Sequence, residues 1–212
     1  MTHGYTFVDS VEELTDLVGV PTAMAANKER DALLDVDRDW LASSPFCVIA
    51  TADEHGRCDA SPKGDPAGHL VHVIDDRTIA LAERPGNRRV DGYRNVLANP
   101  HVGLLFVIPG RNDTLRINGR ARLVRDAPFF DAMVVQGHRP ILALVVEIET
   151  VFSHCAKAFM RSSLWEPQTW DPEALVPRRA VLAHRAEAKD GQTLEELDAY
   201  YAPENYRRGL YG

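Results

Sequence analysis

With 212 residues, 45% apolar content and 26% charged residues, the chain is long enough for one sizeable core and too evenly composed for disorder, so a single domain with helical additions is expected. A formal charge of -7 argues against general nucleic-acid binding, which wants a basic face on a basic domain. No apolar run approaches the roughly 18 residues of a membrane span, the first residues carry no signal-peptide pattern, and three cysteines without CxxC spacing read as reduced thiols rather than a metal site, which predicts a cytoplasmic protein without a metal.

Residues 1–45 hold nine acids against three bases and predict short helices packed outside a sheet. Ser10 is a suitable N-cap with Glu13 three residues on, Leu14, Leu17 and Val18 follow at helical spacing, and Pro21 ends the run. A second helix is expected over 37–42, with Trp40 and Leu41 on its apolar side. From Pro45 the period changes to that of strands. The segments 46–51 and 57–62 flank the turn Asp53-Glu54-His55-Gly56, and 69–74 and 78–83 flank Asp75-Asp76-Arg77, which predicts two hairpins. His69 and His72 fall on opposite faces of such a strand and share no metal.

Next, Asn87 is placed to cap a helix through Val90, Tyr93, Val96 and Leu97, which Asn99-Pro100 stops. Strands are expected over 102–108 and 114–124, the latter alternating Arg116, Asn118, Arg120 and Arg122 with Leu115, Ile117, Gly119, Ala121 and Leu123, one face basic and the other core. A short helix after Pro128 turns Phe129, Phe130 and Met133 inward. A strand over 141–152 is too apolar at 142–146 to meet solvent on either face. Beyond it, 154–165 reads as a helix with Lys157, Arg161 and Trp165 along one line. Leu194, Leu197 and Tyr201 fit an amphipathic helix. Seven strands without a βαβ rhythm predict a mainly β protein with peripheral helices, built on a closed or partly closed antiparallel barrel. Neither GxGxxG nor GxxxxGK[ST] occurs, so dinucleotide and P-loop chemistry are not supported.

One stretch stands out by charge. Between Arg84 and Arg125 there are nine arginines, no lysine and only Asp91 and Asp113 as acids. Arginine suits planar recognition of phosphate, and a Gly-Asn turn entering a helix offers free N–H groups for the same anion. On this reading Arg88 and Arg89 occupy the first helical turn, where cations oppose the macrodipole, an unfavourable choice unless an anion binds. Two other readings stay open: arginines paired with the acidic remainder of the chain, or a protein-docking face.

The segments Pro85-Gly86-Asn87-Arg88-Arg89, Leu105-Phe106-Val107-Ile108-Pro109-Gly110, Leu115-Arg116-Ile117-Asn118-Gly119-Arg120-Ala121 and His154-Cys155-Ala156-Lys157-Ala158 resemble the pyridoxamine 5'-phosphate oxidase-like, flavin mononucleotide (FMN)-binding split-barrel superfamily, and more closely its "PPOX class" branch. The resemblance spans roughly 39–165. It implies a Greek-key-like antiparallel split barrel over 45–165, flanked by an N-terminal helical extension (1–44) and a C-terminal extension (166–212) packing on the barrel or a partner subunit. It also implies a homodimer with FMN at the subunit interface. The phosphate would lie on Arg88 and Arg89 with Asn87 in the family's small polar position, and Arg116 and Arg120 stand next. Backbone groups of Ala60, Ser61, Pro62 and Lys63 would meet the isoalloxazine edge. Thr114 stands where the family has a Gln. Arg161 and Trp165 match loosely the basic and aromatic residues that a second subunit supplies.

The family's oxidase proper ends in a Trp-x-Gly-Arg-x-x-Arg-Leu-His segment that holds its phosphorylated substrate, and the tail Arg207-Arg208-Gly209-Leu210-Tyr211-Gly212 lacks it. The expectation is an FMN-dependent oxidoreductase acting on another small molecule, with no side chain assigned as acid or base. The alternatives are a non-catalytic flavin-binding protein or a haem-binding one with His154 as iron ligand. A dimer is also expected because the apolar runs 141–146 and 102–106 offer more hydrophobic surface than one small barrel hides.

Overall fold

Seven strands form one antiparallel sheet in the order β2-β1-β5-β6-β7-β4-β3. The computed structural model describes residues 4–172, 176–187 and 191–211. The strands are β1 (Phe46–Ala52), β2 (Cys58–Gly64), β3 (Val71–Val73), β4 (Thr78–Ala82), β5 (His101–Val107), β6 (Thr114–Val124) and β7 (Ala143–His154). Their number, their order along the chain and the exact span of β6 follow the alternation in the sequence.

Inward side chains at every second position build the main core: Cys47 and Ile49 from β1, Leu104 and Phe106 from β5, Leu115 and Ile117 from β6, Leu144 and Val146 from β7. In β7 the parity then changes, with Ile148 and Val151 both buried. The cause is a register shift, since Asn118 pairs with Thr150 but Gly119 with Ile148, leaving Glu149 as the extra residue of a bulge. Glycine is required opposite it, because a β-carbon on Gly119 would collide with the Glu147 carbonyl.

The 142–146 run is apolar on both faces because both are covered. Leu144 and Val146 enter the main core, while Ala143 packs with Ala80, Ala82, Phe130 and Met133 under a 3-10 helix, Pro128–Met133. This corrects the surface argument for a dimer. Of the 141–146 run, Ala143, Leu144 and Val146 are buried within the chain itself, like Val102, Leu104 and Phe106, Leu142 and Val145 are half-buried, and Ile141 is largely exposed at 84%.

The N-terminal helices divide in behaviour. Helix α1 (Val11–Val18) is capped as expected, with Glu13 N–H donating to Ser10 Oγ at 3.0 Å, but neither it nor α2 (Ala23–Ala26) buries a residue. Helix α3 (Asp35–Ser43) alone meets the expectation of packing on the sheet, through Leu41. Asp37 fixes its start, accepting from Leu34 N–H at 2.8 Å and from both terminal nitrogens of Arg30.

Helix α4 (Asp91–Ala98) buries Tyr93 and Val96, and α5 (Lys157–Arg161) is a short turn after β7. Helices α6 (Arg179–Leu182), α7 (Leu194–Tyr201) and α8 (Pro203–Arg208) follow. Leu197 is buried with Ala180 and Ala183, and Leu194 and Tyr201 pack beside them, so the amphipathic reading of α7 holds. His69 lies in a turn before β3 rather than on it, donating its N–H to the Pro66 carbonyl, while His72 stacks on Phe129. No helix among the described residues is long and apolar enough to cross a membrane.

Candidate functional site

A cavity of about 470 Å³ opens between β2, the end of β4, the loop 83–90 and α4. That volume falls in the range of small-molecule sites, about 300–1,000 Å³. Strand β2 is an edge strand paired only with β1, which is why Pro62 is tolerated in it. Its alternation turns Asp59, Ser61 and Lys63 toward the half-buried side. Helix α4 comes close to both strands: a β-carbon on Gly92 would lie 3.3 Å from Asp59 Oδ2, and Asn95 Nδ2 donates to Thr51 Oγ1 at 3.0 Å.

Toward its more buried end the cavity is lined by two compensated cations. The Lys63 ammonium sits 2.8 Å from Glu83 Oε2 and 4.8 Å from the centre of the Tyr93 ring, and the Tyr93 hydroxyl donates to the same Oε2 at 2.5 Å. Burial first, and then the Glu83 acceptor, push the Tyr93 hydroxyl far above its ordinary range, so it remains a donor. Arg84 pairs with the buried Asp65 at 2.7 Å and donates to the Met133 carbonyl at 2.8 Å. The other Asp65 oxygen accepts from the Tyr211 hydroxyl at 2.9 Å, and Leu210 joins the lining, so the end of the chain folds back to this site.

At the mouth stand Asn87, Arg88 and Arg89, all exposed. Arg89 pairs with Asp91 at 2.5 Å, whereas Arg88 forms no ion pair among the described residues and holds a left-handed backbone with φ 60. Here the structure corrects the local reading. Asn87 Oδ1 accepts from Arg89 N–H at 2.9 Å, a side-chain turn that mimics a cap, but α4 begins at Asp91 after Val90. The two arginines therefore precede the helix, and its first turn carries an acid, which suits the dipole. The dipole argument for an anion does not hold. What replaces it is a guanidinium left without a counter-charge at a cavity mouth.

Of the residues singled out from sequence, Ala60, Ser61, Pro62, Lys63, Asn87, Arg88 and Arg89 meet around this one cavity. Within this chain Thr114, Arg116, Arg161 and Trp165 do not line it. Thr114 is buried at the start of β6 opposite His154. Arg116 donates to Asn118 Oδ1 at 3.1 Å and lies 5.2 Å from the Phe152 ring centre. Trp165 is not on a helical line with Lys157 and Arg161, because α5 ends at Arg161 and Ser163 takes φ 48. Its indole donates to the Arg111 carbonyl at 2.6 Å. His154, at the end of β7, also lies outside the cavity, its imidazole held below its ordinary pKa first by burial and then by Lys28 and Arg116. Among the described residues no group of three or more His, Cys, Asp or Glu is arranged to hold a metal.

Sequence reasoning missed Glu83, Asp65 and Tyr211, and took Tyr93 for core alone. Glu83 and Lys63 are 20 residues apart and Asp65 and Tyr211 are 146 apart, so no local pattern connects them.

The sequence matches the family model for pyridoxamine 5'-phosphate oxidase over residues 33–155. No curated protein matches it. Solved structures similar to it include HupZ of Group A Streptococcus, 18% identical over 57% of this chain and 93% of that one, with a TM-score of 0.46. Another is a Clostridium acetobutylicum protein related to general stress protein 26 of B. subtilis, of the pyridoxinephosphate oxidase family, 17% identical over 56% of this chain and 85% of that one (TM-score 0.42). A third is HutZ, the heme storage protein from Vibrio cholerae, 14% identical over 53% and 87% (TM-score 0.37). The family match covers more than half of the 212 residues and coincides with the seven-stranded antiparallel sheet, so the chain belongs to the pyridoxamine 5'-phosphate oxidase family of split-barrel proteins.

Proposed function

We propose that this protein binds FMN in the cavity between β2 and α4 and works as a homodimeric oxidoreductase on a small molecule other than pyridoxine 5'-phosphate. The observation that carries the reading is the meeting of β2 and the 87–89 loop around one cavity whose mouth holds the uncompensated Arg88. Arg88 supplies a planar donor for a phosphate. The outer edge of β2, unpaired in the sheet order, supplies backbone N–H and C=O groups for the polar edge of a flavin ring. Apolar walls from Ile49, Leu70, Val96 and Leu144 suit its body.

When bound, FMN supplies the electron-transfer chemistry itself. The chain's part is to bind and orient: Arg88 and the neighbouring backbone fix the phosphate end, and Lys63 presents an ammonium held in place by Glu83. The other cations of the lining, Lys63, Arg84 and Arg89, are each paired with a carboxylate, and the tail lacks the segment that holds a phosphorylated substrate in the family's oxidase proper. The haem alternative finds no histidine in the cavity lining. We retain Arg161 and Trp165 as contributions to a neighbouring subunit's site.

The visible spectrum of the purified protein, followed by mass spectrometry of the released ligand, tests the reading. A flavin band and an FMN mass are expected; a Soret band, or no uptake of added FMN, would overturn it.

A further inference from the structure

Eight charged groups line the cavity: Lys63, Arg84, Arg88 and Arg89 against Asp59, Asp65, Glu83 and Asp91. The charges balance in number but not in placement. Lys63 and Arg84, which lie on the more buried side, are each paired with a carboxylate, at 2.8 Å and 2.7 Å. Arg89 is paired at the surface, and of the eight Arg88 and Asp59 have no ion pair among the described residues, which leaves Arg88 as the one unpaired cation of the lining.

We infer that the buried end of the cavity takes an uncharged ligand with a hydrogen-bond acceptor, such as a carbonyl or amide oxygen, and excludes phosphate and carboxylate groups. The inference rests on the flavin reading, with the phosphate at the mouth and the ring along β2, and it names the substrate class that the Lys63 end of the same cavity takes beside that ring. An anion at Lys63 must either sit as a second negative charge against Glu83 or displace it, and Glu83 has a side chain 23% exposed that is also held by the Tyr93 hydroxyl. The displaced carboxylate would stay half-buried beside the newcomer's negative charge, losing a charge-assisted bond that no water replaces fully. Arg84 presents the same obstacle, since its charge is met by the buried Asp65 and it also donates to the Met133 carbonyl.

A neutral acceptor meets no such obstacle. An ammonium has three donors, and Lys63 directs one to Glu83. A donor is left for a carbonyl oxygen, and the Glu83 pair can stay intact while it is used. Tyr93 and Glu83 act here as positioning residues, holding the Lys63 ammonium over the Tyr93 ring at 4.8 Å. Tyr93 cannot donate to the ligand without breaking its bond to Glu83, since its single proton is committed there.

The test is amide shift mapping on the flavin-free protein, with inorganic phosphate and nicotinamide, a neutral aromatic amide, as probes. In wild type, phosphate should move the amides of Arg88 and Arg89 and leave those of Lys63 and Gly64 in place, while nicotinamide should move Ser61, Lys63 and Gly64. In Glu83→Gln the ammonium loses its counter-charge, so phosphate should gain a second site at Lys63 with affinity raised at least about tenfold there. Phosphate reaching Lys63 in wild type, nicotinamide failing to reach it, or a folded Glu83→Gln without the second site would each overturn the inference. If Glu83→Gln does not fold, the two wild-type titrations decide. A parallel FMN titration separates the two readings: no FMN uptake with the charge map intact sinks the flavin assignment alone, and FMN uptake with phosphate at Lys63 sinks this inference alone.

Discussion

Arg88 carries the argument at the scale of the residue, through its charge and through its backbone. A side chain other than glycine at φ 60 costs roughly 1–2 kcal/mol, and an exposed guanidinium gives no packing in return. Such a conformation is kept where the side chain has a use. Arg88→Gly should therefore melt no lower than wild type in the absence of ligand, and rise by up to about 1 kcal/mol if the relief of strain exceeds the added freedom of the unfolded chain. Its FMN affinity should still fall by about ten- to a hundredfold, the value of one charge-assisted contact. Thermal melting and flavin titration of this single variant read both effects; a drop in melting temperature would show that Arg88 is structural.

The cysteines give a second expectation at this scale. Burial pushes the Cys47 thiol up to about 12, whereas the Lys157 N–H and the cations near Cys155 hold that exposed thiol below its ordinary range. The thiolate is the reactive form. Timed alkylation at neutral pH, read by peptide mass, should modify Cys155 first and leave Cys47 untouched until the protein unfolds; early modification of Cys47 would contradict the core placement.

Among the elements, α3 shows what a buried carboxylate does for stability. Burial acts to raise the Asp37 pKa, but the Arg30 pair and the Leu34 N–H outweigh it, and the net shift is downward. A depressed folded value means that the stabilisation is complete above the unfolded range near 3.9 and is lost as pH falls through the lower folded value. Asp37→Asn should cost about 2 kcal/mol at neutral pH, the value of a charge-assisted network, discounted because the Arg30 side chain is 31% exposed. It should also flatten the acid limb of stability against pH. Urea titrations from pH 3 to 7 check this, and an unchanged acid limb would remove Asp37 from the account.

The same scale explains what was legible in the sequence. Strands were readable because their alternation is local: Leu115 to Leu123 marks β6 from end to end. The bulge in β7 was not, since an extra residue at Glu149 is visible only against its partner strand. The start of α4 was misplaced because Asn87 makes the hydrogen bond of a cap without starting a helix. On the site, the mouth arginines and the β2 segment were readable as motifs, whereas the Lys63, Glu83 and Tyr93 cluster needed the fold to bring β2, β4 and α4 together.

For the whole molecule, the reason for a dimer moves from the sheet to the N-terminus. The 141–146 and 102–106 runs are mostly covered, but α1 leaves Val11, Leu17 and Val18 at two-thirds exposure or more, with Met24 beyond. An amphipathic helix without a surface to cover its stripe is unusual for a protein that works alone. We propose that the three segments 1–44, 45–165 and 166–212 act as helical extension, barrel and second extension, with α3 belonging to the barrel core through Leu41. Sedimentation at micromolar concentration should give about twice 23.6 kDa, and a monomer would remove both the dimer and the second-subunit roles of Arg161 and Trp165.

The most direct measurement is FMN titration of wild type and of Arg88→Ala/Arg89→Ala, with melting curves of each protein alone and with FMN. The double variant should stay folded, lose FMN affinity by more than the about tenfold to hundredfold expected of one contact, and show little of the rise in melting temperature that bound FMN gives wild type. A double variant that takes up FMN as wild type does would contradict this, and would leave Arg116 and Arg120 as the next candidates for the phosphate.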